Sequence, residues 1–526
     1  METAYAVLLV LVVIYVIIYA WAWKNKERAE RWHLVRYGPC LMIKTRLGMK
    51  TMDRLAKHTR LWRAFGLASK LVSAILFFLI MYMLVVSIIS LPSTMSSPAV
   101  GIEYALAIPG FNPILPLSYG VVALFVAMVV HELGHGIQAR ANSVKVDSTG
   151  LLYAVVPVGA FVEPNEEEIQ KQSRRVKMDV YTAGITVNTV VALISILLLA
   201  GACGLVSSDY SDNAGIYSID SGSPVLDADI PASAIITGVR ESGTEAWDDP
   251  VTVVEGSVTS IDYGFDPTRT YDLQYVFHGE TFVVEGVQMG SYIKSVVVGS
   301  PADQAGMTAG EFVTSLQIEG QDPVIIGNPH DFTMFMEGTQ PGQTVTVTAV
   351  TDMDDAGSYA IKQYTLTLGD NGGIGYVGIT STTGGITFTT PDVLLSTASN
   401  PFRNATDPFS YVTSFLGYLS GPFNGMDPIS DEVKWWYDVP MGDIFWVILS
   451  LLYWIFWLDI LLGISNALPA YPFDGGFIFA GGVNWLLEKL RIGDDARRER
   501  MTENISSSVS SLVLFMFVLV VLAMVI

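Results

Sequence analysis

The sequence predicts a polytopic α-helical membrane protein with about six transmembrane helices, a membrane-associated β-hairpin and a β-rich region outside the membrane. Three observations lead there. The 526 residues are 51% hydrophobic, too apolar for an ordinary soluble chain and too long for one domain. Long apolar runs recur in both the first and the last part of the chain. The formal charge of −21 is concentrated, because residues 207–440 hold 31 Asp+Glu against 6 Lys+Arg. That acidity argues against nucleic acid as a partner and suits a high-salt exterior, so a halophilic source is expected, the alternative being merely an acidic ectodomain. Cys40 and Cys203 are the only cysteines, so neither a disulfide framework nor a cysteine-based metal site is available.

In chain order, residues 5–23 form an apolar run followed by basic residues rather than a cleavage site, and 1–23 is read as a retained first span. Residues 24–70 carry 13 Lys+Arg and are expected in the cytoplasm, which puts the N-terminus outside. Residues 71–91 cross outward and 119–139 cross back, with Arg140 and Lys145 marking the inner face. Residues 150–163 are apolar but too short to span, and Pro157 and Gly159 oppose a helix. They read as a membrane hairpin whose edge can pair with an extended substrate, or alternatively as an interfacial loop. Residues 183–206 cross outward, and Asn188 within them is either packing glue or a substrate contact.

The acidic region alternates short β-like runs such as Thr344 to Thr348 with Gly and Asp turns. Its second part, 289–370, resembles a PDZ domain through Gly299-Ser-Pro-Ala-Asp-Gln-Ala-Gly306, with residues 288–296 as ligand-side strand. A weaker echo covers 213–288. Such units bind peptide termini or act as spacers. Residues 391–440 suggest an amphipathic segment with an aromatic anchor at Trp435-Trp436-Tyr437. Residues 443–467 cross inward and 508–526 exit, giving six spans with both ends outside.

Within the third span lies His131-Glu132-Leu133-Gly134-His135. On a helix, i and i+4 share a face, so both imidazoles can hold one metal ion while Glu132 flanks its bound water as general base. Ionisable groups at membrane depth are costly and are usually functional. The fifth span runs into Asn466-Ala-Leu-Pro-Ala-Tyr-Pro-Phe-Asp474-Gly475-Gly476, which brings Asp474 to the same depth. It can complete a His2Asp site with one open position, the alternative being a plain turn aspartate. One Zn2+ per chain is the expected cofactor.

These residues resemble the site-2 protease family of intramembrane zinc metalloproteases, in its archaeal form with PDZ insertions. HELGH, Gly184-x-x-x-Asn188, and Asn466-x-x-Pro469 with Asp474-Gly475 carry the resemblance, and Gly159-Ala160-Phe161-Val162 is similar to the family's membrane hairpin. Ile185, where the family often has Pro, departs from it. The resemblance implies that His131, His135 and Asp474 are metal ligands and Glu132 the catalytic base. It also places Asn466 near the substrate, while Asn188, Gly159, Ala160 and Phe161 are expected there from their own positions in the span and the hairpin. The resemblance further implies regulated proteolysis of a single-pass transmembrane protein in the lipid bilayer; the basic segments and the order of the spans place the active site toward the cytoplasm and the PDZ-like region outside. The competing reading is a non-catalytic PDZ-bearing receptor or scaffold with a structural metal. Glu132 speaks against it, since a structural site has no need of that carboxylate.

Overall fold

The computed structural model describes residues 2–94, 101–105, 108–154, 156–255, 258–354, 357–403, 405–424 and 428–525. Met1, Ile526 and residue 155, at the turn of the expected hairpin, lie outside them. The chain forms two compact units, Met1–Leu199 with Trp446–Ile526, and Ala200–Phe445.

The first unit is built on α1 (Glu2–Lys24), α2 (Met49–Ala56), α3 (Thr59–Ile89), α4 (Leu117–Ala141), α5 (Arg174–Cys203), α6 (Asp443–Asn466), α7 (Asp474–Lys489) and α8 (Asp495–Val525). Among the described residues, α3, α4, α5, α6 and α8 are long and apolar enough to cross a membrane, and α1 carries a shorter apolar stretch, Val12–Lys24. Three helices begin well before their apolar runs: α3 at Thr59, not 71, α5 at Arg174, not 183, and α8 at Asp495, not 508. Apolarity reports the lipid-facing part, whereas each further turn adds a backbone bond whatever its side chains. Packing between these helices relies on small residues. Gly66, Ser69 and Ser73 are buried along α3, and Thr502, Ser506 and Ser510 along α8, which packs on α3. Ion pairs Lys70–Asp179 and Arg174–Glu488 tie α3 to α5 and α5 to α7.

Beside the helices lies a four-stranded antiparallel sheet, order β1 (Leu34–Tyr37), β2 (Cys40–Thr45), β3 (Val146–Ala154), β4 (Val156–Pro164). The β3–β4 hairpin pairs Thr149 with Val162, Gly150 with Phe161, Leu151 with Ala160 and Leu152 with Gly159. Pro157 is tolerated because β4 is an edge strand. The first two strands come from the segment read only as basic and cytoplasmic, where Gly38-Pro39 separates two short runs. Lys44 of β2 reaches Glu163 of β4 at 2.8 Å. Close approach of β4 to α4 needs Gly136, where a Cβ would stand 2.9 Å from Val162 Cγ1.

The second unit is a β-rich body with two cores. One gathers Ile216, Ile236, Phe265, Leu273, Met289 and Phe388; the other gathers Ile293, Val313, Leu316, Val345, Val347 and Leu366. Ser300 caps the short helix Pro301–Gln304, and Asn328 caps Pro329–Glu337 through Asp331 N–H at 3.0 Å. Both cores draw on strands beyond residue 370: Ile379–Thr383 pairs with Ser291–Val296, and Ile386–Thr389 pairs with Gly215–Ile219. Boundaries at 213–288 and 289–370 therefore omit the closing strand of each lobe. Such long-range pairing leaves no local mark in the sequence.

Candidate metal centre

His131 and His135 stand one turn apart on α4, 7% and 9% exposed, with their Nε2 atoms 3.1 Å apart. Helix α6 ends at Asn466, the chain turns through Pro469 and Pro472, and Asp474 opens α7. Its Oδ2 lies 3.1 Å from His131 Nε2 and 3.2 Å from His135 Nε2. The three ligand-type atoms form one cluster, the only such group of metal-binding side chains among the described residues.

What holds the rings also fixes their protons. His135 Nδ1 lies 2.8 Å from the Val180 carbonyl on α5. A carbonyl only accepts, so that nitrogen carries the hydrogen. Asn188 donates its amide to the Ala127 carbonyl at 3.2 Å, which turns its oxygen toward His131 Nδ1 at 3.1 Å and makes that nitrogen a donor too. In neutral rings both Nε2 atoms are then acceptors. They face Asp474 Oδ2, which is itself buried and has no hydrogen-bond partner among the described residues. Three acceptors in mutual contact call for a cation. Tetrahedral zinc with bonds of 2.0–2.2 Å separates its ligand atoms by about 3.3–3.5 Å, close to the triangle found here. The donor set thus fits one Zn2+.

Space for the rings is made by Gly184 of α5. A Cβ there would stand 2.8 Å from His131 Nε2 and closer still to His135 Nε2. Glu132, one residue along α4, turns toward β4 and accepts a hydrogen bond from Val162 N–H through Oε2 at 2.8 Å.

Asn188, expected among the substrate contacts, is fully buried, and both ends of its amide are engaged with α4. Its place is behind His131, one corner of the triangle, where it fixes the tautomer. Asn466 is half-buried and bonds back to the Leu462 carbonyl at 3.0 Å. Gly159, Ala160 and Phe161 lie on β4, leading into the residue that holds Glu132. The sequence reading missed Val180 and Val162, because both act through the backbone and no side-chain pattern marks them.

The family model described as peptidase family M50 matches residues 119–517, which is most of the chain and includes both segments that form the triangle. The chain belongs to peptidase family M50. Membership in M50, the site-2 protease family, agrees with the resemblance carried by HELGH and the Asp474 segment, and with the five long apolar helices it puts the protein in a membrane. An uncharacterized protein of Methanocaldococcus jannaschii is 34% identical over 161 residues, which span 30% of this chain and 42% of that protein.

Proposed function

We propose that this M50 protein is an intramembrane zinc metallopeptidase that hydrolyses peptide bonds within or near the transmembrane helix of single-pass membrane proteins. The observation that carries the reading is the triangle of His131, His135 and Asp474 beside a tethered Glu132, amid helices apolar enough to span. Zinc bound there would supply Lewis acidity, acidifying water to a pKa of about 7 and polarising a peptide carbonyl. Glu132 takes the proton from the attacking water and returns it to the leaving amine. Val180 and Asn188 hold the imidazoles in the tautomer that offers Nε2.

A helical substrate hides its carbonyls in its own hydrogen bonds, so it must unwind locally. Each backbone group left unpaired in lipid costs several kcal/mol. The edge of β4 offsets part of that cost. Val162 N–H points away from β3 to Glu132, so by strand alternation Ala160 also directs its N–H and C=O outward, where an extended segment can pair with them. In this reading the acidic second unit lies outside the cell and its lobes are PDZ-like.

Purified protein, incubated with tagged membrane-spanning peptides, tests the proposal. Glu132→Ala should keep one zinc per chain and lose cleavage by about 10²-fold or more. His135→Ala and Asp474→Ala should lose metal and activity together. Full zinc in Asp474→Ala would remove that residue from the ligand set, and a fully active Glu132→Ala would remove the base.

A further inference from the structure

Glu132 is the one polar side chain of the HELGH segment that faces the sheet, and its partner there is the outward amide of an edge strand. Among the described residues its second carboxylate oxygen makes no hydrogen bond, so one oxygen is anchored and the other is left for proton transfer. From this geometry we infer that Val162 is a positioning residue for the base: its backbone N–H fixes the Glu132 carboxylate beside the donor triangle, and the hairpin's register thereby sets where the base stands. The inference rests on the hydrolytic reading above and adds a second task to the hairpin. Outward groups on β4 alternate, so Ala160 and Val162 share one edge while Phe161 bonds inward to β3. Neighbouring positions on that edge then have separate duties. Ala160 is open to a substrate strand, and the Val162 donor is committed to the enzyme's own carboxylate.

The tether has its own support. Val162 Cγ1 packs where Gly136 leaves room on α4, one turn beyond Glu132, so the strand and the helix are locked at the level of the bond. A carboxylate hydrogen-bonded to a backbone N–H is also a charge-assisted pair, stronger than a neutral one.

Proline reads out the tether. Val162→Pro deletes an outward N–H, on an edge strand where proline is tolerated, and favours at Phe161 the extended backbone already present. Because it also removes the methyls packed at Gly136, Val162→Ala, which keeps the N–H, is the control and should keep kcat near the starting value. For Val162→Pro the expected result is retained zinc, a KM near the starting value and a kcat lower by about 10- to 100-fold, as for a catalytic group displaced by about 1 Å. Ala160→Pro should do the converse, raising KM with a smaller effect on kcat. A Val162→Pro enzyme with undiminished kcat overturns the inference. The second measurement needs no turnover: hydrogen exchange at the Val162 amide, in apo and zinc-loaded full-length protein, should be faster in Glu132→Ala by about tenfold or more. Equal exchange overturns the tether whether or not Val162→Pro keeps its zinc. If no peptide is cleaved by the unaltered protein, the hydrolytic reading fails while exchange still decides the bond.

Discussion

At the scale of single residues, the candidate metal centre depends on atoms outside the triangle of His131, His135 and Asp474. Asn188 spends its whole amide on α4, with its oxygen on His131 and its nitrogen on Ala127. Outer partners of ligand histidines typically account for 10- to 100-fold in metal affinity. Asn188→Leu, similar in size but unable to accept from Nδ1, is therefore expected to weaken zinc binding by about 10- to 100-fold in a chelator competition while helix content is kept. Unaltered affinity would reduce Asn188 to packing. Gly184→Ala should be harsher, since its methyl would occupy the space of both imidazoles. The grouping of His131, His135 and Asp474 was legible because two lie four residues apart on one helix and the third sits in a distinctive turn. Val180 and Val162 were not, since any residue supplies a carbonyl or an amide and only the fold aims it.

Elements differ in how much of their position is written locally. The β3–β4 hairpin was legible from a short apolar run broken by Pro157 and Gly159, but its partners β1 and β2 were masked by the basic residues around them. In the second unit, strand Thr270–Phe277 pairs with Glu280–Gln288 across a bulge between Val284 and Val287. Asp272, 3% exposed, pins that bulge, accepting from Gly286 N–H at 3.1 Å, Ser242 Oγ at 2.7 Å and Arg240 Nε at 2.9 Å. Burial alone would push its carboxyl up, but the Ser242 and Arg240 side chains and the Gly286 amide together hold it below the usual carboxylate range. The sign follows from linkage: a carboxyl more acidic folded than unfolded stabilises the fold above its unfolded pKa of about 3.9, and that contribution fades as pH falls through the folded value. Asp272→Asn should thus cost stability at pH 7, with the gap to the original protein narrowing once the pH drops below about 4. Thermal unfolding of the second unit followed across that range checks it, and a gap that stays constant contradicts the shift.

For the whole molecule, the second unit is one insertion between α5, which carries Asn188 and Gly184, and α6, which leads to Asp474. The charge imbalance of residues 207–440 made its extent legible. The sequence did not disclose that its two ends meet. Ser207 and Asp438 exchange backbone hydrogen bonds, N–H to carbonyl at 3.2 Å and 2.8 Å, and Trp436 Nε1 donates to the Ser233 carbonyl at 2.7 Å. An insertion whose ends are paired can be removed with a short linker at small cost in loop closure. A cut at 370 would instead strand Ile379–Thr383 and Ile386–Thr389, which close the lobes. If the insertion acts as a filter on what reaches the helices, replacing 209–436 by a short flexible linker should leave zinc stoichiometry intact. The shortened protein should then cleave membrane peptides fused to bulky outer domains that the full chain refuses, while peptides with short outer tails are cut by both. A competition between the two substrate classes measures it directly, and the same preference in both proteins would show that the lobes do not select by size.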